Sequence, residues 1–140
     1  MGRINWARVI LGGLLAGVVI NIVETINGFI LEEEWKAAME ALGKSTEFSA
    51  AMMVFYIAFG FGYGIFAVWL YAAIRPRFGP GPKTAVWAGL AVFFIGYLTF
   101  SATFSSLGLF PTRLIIISTV VGFVEIILAT LLGAWMYKEA

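Results

Sequence analysis

Four long apolar runs dominate the chain, at residues 7–31, 48–74, 84–107 and 112–137. Crossing about 30 Å of hydrocarbon takes about 20 apolar residues at 1.5 Å of rise each, and all four runs reach that length. No water is available inside a bilayer to satisfy backbone N–H and C=O groups, so a segment of this kind closes its hydrogen bonds within itself, as a helix. The fold class that follows is all-α: an integral membrane four-helix transmembrane bundle, one domain over residues 1–140. Composition agrees, with 61% hydrophobic and 12% charged residues against about a quarter charged in a soluble domain. Arg3 and Arg8 ahead of the first run resemble the start of a signal peptide, but the run is long for a signal core. An uncleaved first span is the expectation.

The segments between the runs differ in charge. Arg3, Arg8, Arg75, Arg77, Lys83 and Lys138 fall on one side of the membrane, and Lys36, Lys44 and Arg113 on the other with Glu32, Glu33, Glu34, Glu40 and Glu47. Lys and Arg excess marks the cytoplasmic side. A multi-pass protein of the cell's inner (plasma) membrane is expected, with both termini cytoplasmic. The external connector, 32–47, carries Trp35, Met39 and Leu42 at i, i+4, i+7, the spacing of a short amphipathic interfacial helix between spans one and two, with Gly43 as its C-terminal stop. Such a helix either lids a site below it or simply connects two spans along the membrane surface. The internal connector, 75–83, holds three prolines and two glycines and is expected to be non-helical.

Missing residue types narrow the chemistry. The chain has no Cys, no His and no Asp. This removes disulfides, thiolate nucleophiles, the commonest metal ligand and general base, axial ligation of haem by His or Cys, and Ser-His-Asp or Cys-His catalysis. No catalytic residue, metal site or cofactor is expected, and an enzyme is the least favoured class. A net charge of +1 without a basic cluster gives no case for nucleic acid.

What remains is intramembrane polarity. In span one, Gly13, Gly17, Asn21, Glu24 and Gly28 fall within an arc of about 80° at 100° per residue, with Asn27 bordering it. Span four repeats the design with Ser118, Gly122, Glu125, Ala129 and Gly133. Small residues at this spacing let helices approach closely, so Gly13, Gly17, Gly28, Gly122 and Gly133 are expected to pack spans one and four together. Thr99, Thr103 and Ser106 share a face of span three at the level of Glu24. A charged carboxyl group at such depth costs on the order of 2.5–3.5 kcal/mol by insertion scales. It is therefore protonated, hydrogen-bonded, or open to a water-filled cavity. Glu24 and Glu125 then read either as functional groups or as protonated interhelical glue, with Asn21, Asn27 and the hydroxyls as partners. Counted from the outer ends of their spans, the two carboxylates lie about 9 Å apart along the membrane normal, too far to share a proton directly. Asn21 is the better placed of the polar residues to meet Glu125. The aromatics of span two, Phe55, Tyr56, Phe59, Phe61, Tyr63, Phe66, Trp69 and Tyr71, offer stacking surface for a pigment, quinone or lipophilic cation, or simply face lipid. Gly60 and Gly64 in the same span form a further close-approach motif.

Ile4-Asn5-Trp6 before span one, Trp35 through Gly43-Lys44 after it, and the long internal turn resemble small four-span bacterial membrane proteins grouped as a domain of unknown function. That resemblance implies four helices and no known activity. Four spans with Glu24 in the first also look like small multidrug-resistance transporters, which carry an essential Glu there. So small a bundle covers fewer than half of its helix surfaces. The expected role is a small subunit or homo-oligomeric component of a membrane assembly, its partners the lipid bilayer and either itself or other membrane subunits. The alternative is a proton-coupled carrier or pore for a small solute, using Glu24 and Glu125.

Overall fold

The computed structural model describes residues 3–139, which form five helices and, among the described residues, no strand. They are α1 (Trp6–Ile30), α2 (Glu32–Ala41), α3 (Ala50–Phe78), α4 (Pro82–Ser106) and α5 (Thr112–Met136). All but α2 are long and apolar enough to cross a membrane. The fold is the expected all-α bundle, with span limits shifted by at most four residues. Both ends of the described chain and the α3–α4 turn share one end of the bundle, called here the terminal end. Helix α2 and the α4–α5 turn mark the connector end.

Glycines set the contacts between α1 and its neighbours. A Cβ on Gly64 of α3 would collide with backbone atoms of Gly13 and Gly17, and one on Gly13 or Gly17 would strike Ile65 or Phe61. The stripe expected to meet the last span therefore packs on α3, against Gly60 and Gly64. Helix α5 meets α1 a step around the cylinder, where Gly12 and Ala16 receive Gly133. At the connector end the same two helices bury Leu31 beside Leu114. Gly28 has no neighbour to its missing side chain. It lies beyond the level at which α3 leaves the bundle. The expected stripe was continuous, whereas the real seam divides between two partners.

Packing is uneven along the normal. The core of Val9, Ala16, Ile20, Ala67, Val68, Ala88, Val92, Ile126 and Ala129 fills the terminal half and the middle. Toward the connector end, residues 50–59 of α3 are all exposed, and so are residues 98–109 of α4 and its turn except Ser101. These helix ends splay away from the α1–α5 pair.

The turn at 75–83 is shorter than expected. Helix α3 runs through Pro76 to Phe78, and Pro82 opens α4. Proline forfeits one N–H bond, and in the last turn little of the helix remains to be disrupted; at the first position of α4 that N–H has no partner to lose. Only Gly79, Pro80 and Gly81 are non-helical, with both glycines at positive φ (84° and 121°). Thr84 Oγ1 donates to the Gly79 carbonyl at 2.7 Å, and Gly81 N–H donates to the Tyr71 hydroxyl at 3.2 Å. Beside this turn Arg75 pairs with Glu139 at 3.0 Å.

Helix α2 ends at Ala41, at the expected Gly43 stop. Lys44 N–H bonds the Met39 carbonyl and Gly43 N–H the Glu40 carbonyl, with Gly43 at φ 66°. This is the paired arrangement that terminates a helix through a left-handed glycine. Ala38 buries against Leu31 and Leu114, Trp35 sets its edge on Phe110 at 5.3 Å, and Glu34 pairs with Arg113. The connector is a clasp between the end of α1 and the start of α5.

Candidate functional site: a carboxyl pair between α1 and α5

Glu24 and Glu125 meet. The separation expected from the sequence counted backbone levels from the helix ends; two facts of geometry close it. The α1–α5 register, fixed by Gly12 at Gly133 and by Leu31 beside Leu114, leaves the two residues about four positions apart, roughly 6 Å in level. Each Cα–Cβ bond also tilts toward its own helix N-terminus. In antiparallel helices the two side chains then lean toward each other, Glu24 toward the terminal end and Glu125 toward the connector end. Their carboxyl groups come within interaction range.

Glu125 is fully buried (0% exposed) and Glu24 is exposed at the edge of the bundle. Glu125 Oε1 accepts the Tyr97 hydroxyl at 2.6 Å. Its Oε2 is enclosed, and no donor from the described residues reaches it. Two carboxyl oxygens face one another there, and both are acceptors when ionised. Every Lys and Arg lies near a helix end or in a connector. Arg113, twelve residues from Glu125 on α5, starts about 18 Å away along the axis and is engaged by Glu34. The pair therefore requires a proton or another cation between its oxygens.

Tyr97 reaches Glu125 from a π-helical turn, Phe93–Leu98, within α4. Such turns insert one residue into the helical repeat and recur at functional sites. The Tyr97 ring lies where a side chain on Gly122 would stand, and the Tyr63 ring occupies the corresponding space at Gly96. The two tyrosines pack edge to face at 5.7 Å. Gly122 is thus a packing residue, but for a tyrosine of α4 and not for α1.

Asn21, one turn below Glu24, donates its amide to the Gly17 carbonyl at 2.8 Å and to the Ile57 carbonyl of α3 at 3.2 Å, filling the notch at Gly60. It ties α1 to α3, and the position expected to meet Glu125 is taken by Glu24 itself. Asn27 is buried one turn beyond Glu24. Thr99, Thr103 and Ser106 are exposed and donate to carbonyls of their own helix, Phe94, Thr99 and Thr103 respectively. They take no part in the site, because the π turn and the splay rotate their face outward. Among the described residues no group of three or more His, Cys, Asp or Glu side chains comes together.

Sequence reasoning missed Tyr97. The signal was its depth: membrane tyrosines concentrate at the interfaces, and one in mid-span has a hydroxyl that must find a partner. No protein family, curated protein or solved structure was found to match this chain. Its functional reading therefore stands on the geometry of the site.

Proposed function

We propose that the chain is a multi-pass protein of the inner (plasma) membrane, with both termini cytoplasmic, and that it works as a proton-coupled carrier for a small solute. The carboxyl pair supports this reading. One proton between Glu24 and Glu125 satisfies the enclosed Oε2, and its loss leaves two facing anions in a low-dielectric interior. Proton loss therefore biases the bundle toward an arrangement in which the carboxylates separate. The asymmetry of packing gives that motion a direction. The terminal side of the pair is sealed by Ile20, Val92, Phe93 and Ile126, while the connector side is bordered by splayed helix ends. Tyr97 holds one oxygen of Glu125 in either state.

Proteoliposomes enclosing a pH-sensitive dye, given an inside–outside pH step and screened against small solutes, test the reading. A solute that dissipates the step with the wild-type chain and not with Glu125→Gln is the expected result. Infrared spectra showing the same carboxyl protonation from pH 5 to pH 9 would refute it.

A second role, as a subunit or homo-oligomer, draws support from the uncovered run at residues 50–59. Mass measurement in native lipid reports it directly. A monomer with no associated protein is the outcome against it.

A further inference from the structure

The carboxyl pair has room for a second occupant. We infer that it binds a sodium ion in place of its shared proton, so that Na⁺ and H⁺ compete for one seat between Glu24 and Glu125. This rests on the reading above, in which the pair holds an exchangeable proton.

Two observations carry the inference. Glu125 is 0% exposed, its Oε2 is unpartnered, and its carboxyl group lies within interaction range of Glu24. Every basic side chain lies near a helix end or in a connector, so none lies at the level of the pair to fill that place. Hard oxygen donors from two helices therefore converge: Glu125 Oε2 and the Glu24 carboxylate. Glu24 is exposed at the edge of the bundle, which leaves room for water to complete the shell.

Charge selects the ion. With one shared proton the pair carries a single negative charge. If Na⁺ binds as that proton leaves to water, the pair still carries a single negative charge, and the exchange adds no charge to the apolar interior. A divalent ion fits less well. Ca²⁺ takes six to eight oxygens, and Mg²⁺ demands a near-ideal octahedron and keeps several waters; neither is served by three protein oxygens in a narrow seam. Sites of this type near the bilayer midplane commonly accept Na⁺ or H⁺ through oxygens at irregular helix segments, and the π turn that carries Tyr97 borders this one.

The experiment adds NaCl, KCl or choline chloride to the full chain in lipid nanodiscs, in weakly buffered solution with a pH dye, at fixed ionic strength. NaCl alone is expected to release close to one proton per chain, saturably. The yield should decline as the starting pH rises, because fewer protons remain to be displaced. Glu24→Gln and Glu125→Gln should each abolish release. Because a misfolded variant would mimic that loss, the wild-type chain gives a second reading: a melting temperature that rises with NaCl and not with choline chloride. Equal proton release with all three salts would overturn the inference. So would the absence of release by NaCl in a chain whose infrared spectrum shows the pair losing its proton between pH 5 and 9; in that case the proton reading stands and the sodium site falls. A spectrum with no such titration would remove both.

Discussion

Tyr97→Phe removes one oxygen and leaves the ring that fills the space over Gly122. The variant should therefore fold, lose about 1–3 kcal/mol from the broken buried hydrogen bond, and shift the infrared band of Glu125, whose Oε1 loses its donor. Thermal melting and the carboxyl spectrum read the two effects, and an unmoved band would mean that the hydroxyl does not hold Glu125. Glycine positions make a sharper contrast. Gly64→Leu drives a side chain into the backbone of Gly13 and Gly17 and should cost at least the 1–3 kcal/mol typical of overpacking. Gly28→Leu meets open space and should leave the melting temperature within a degree or two of wild type. The two glycines look alike in sequence, each set in an apolar run with polar or small neighbours at helical spacing. What separates them is whether another helix lies against that face at that level. Glu24, Glu125, Asn21, Gly13, Gly17 and Gly133 were legible as residues that face protein because small or polar groups repeated on one side of a cylinder. Their partners were not, since periodicity identifies a face and not what it faces.

Helix α2 shows an element whose kind and end were both legible. The i, i+4, i+7 pattern of Trp35, Met39 and Leu42 marks an amphipathic helix, and its end is decided by the expected Gly43, which adopts φ 66° to close the bonds of Lys44 and Gly43. Gly43→Ala forces an L side chain into the left-handed region at roughly 1–2 kcal/mol. The expected result is faster hydrogen exchange at Met39–Leu42 amides, with the spans unaffected. Exchange unchanged from wild type would mean that packing of Ala38 and Trp35, and not the cap, holds the helix. The α3–α4 turn teaches the complementary lesson. Pro76 signalled a break, but a proline in the last turn sacrifices one hydrogen bond while Tyr71 and Thr84 fasten the loop beyond it. Likewise α4 reads as one apolar run, and its π turn leaves no mark in hydropathy. Only the packing of Tyr97 and Tyr63 into the glycine gaps displays it.

For the whole molecule, orientation is the open test of the charge asymmetry. The chain has no native cysteine, so single cysteines at Ser45, on the connector after α2, and at Pro80, in the α3–α4 turn, give clean reports; both sites are exposed. In intact cells an impermeant thiol reagent should label Ser45→Cys and spare Pro80→Cys. The reverse pattern would invert the bundle. Four helices, their approximate limits and the faces bearing Glu24 and Glu125 were determined by the sequence alone, because each follows from apolar length and from the 100° advance per residue, quantities local to one segment. The pairing of α1 with both α3 and α5, the splay at the connector end and the meeting of the two carboxyl groups were decided only in the tertiary structure. They depend on the register between helices, which the close approach of Gly12 to Gly133 sets, and on side chains that lean toward one another only because the two helices run antiparallel. A register is a relation between distant segments, and no periodicity within either one contains it.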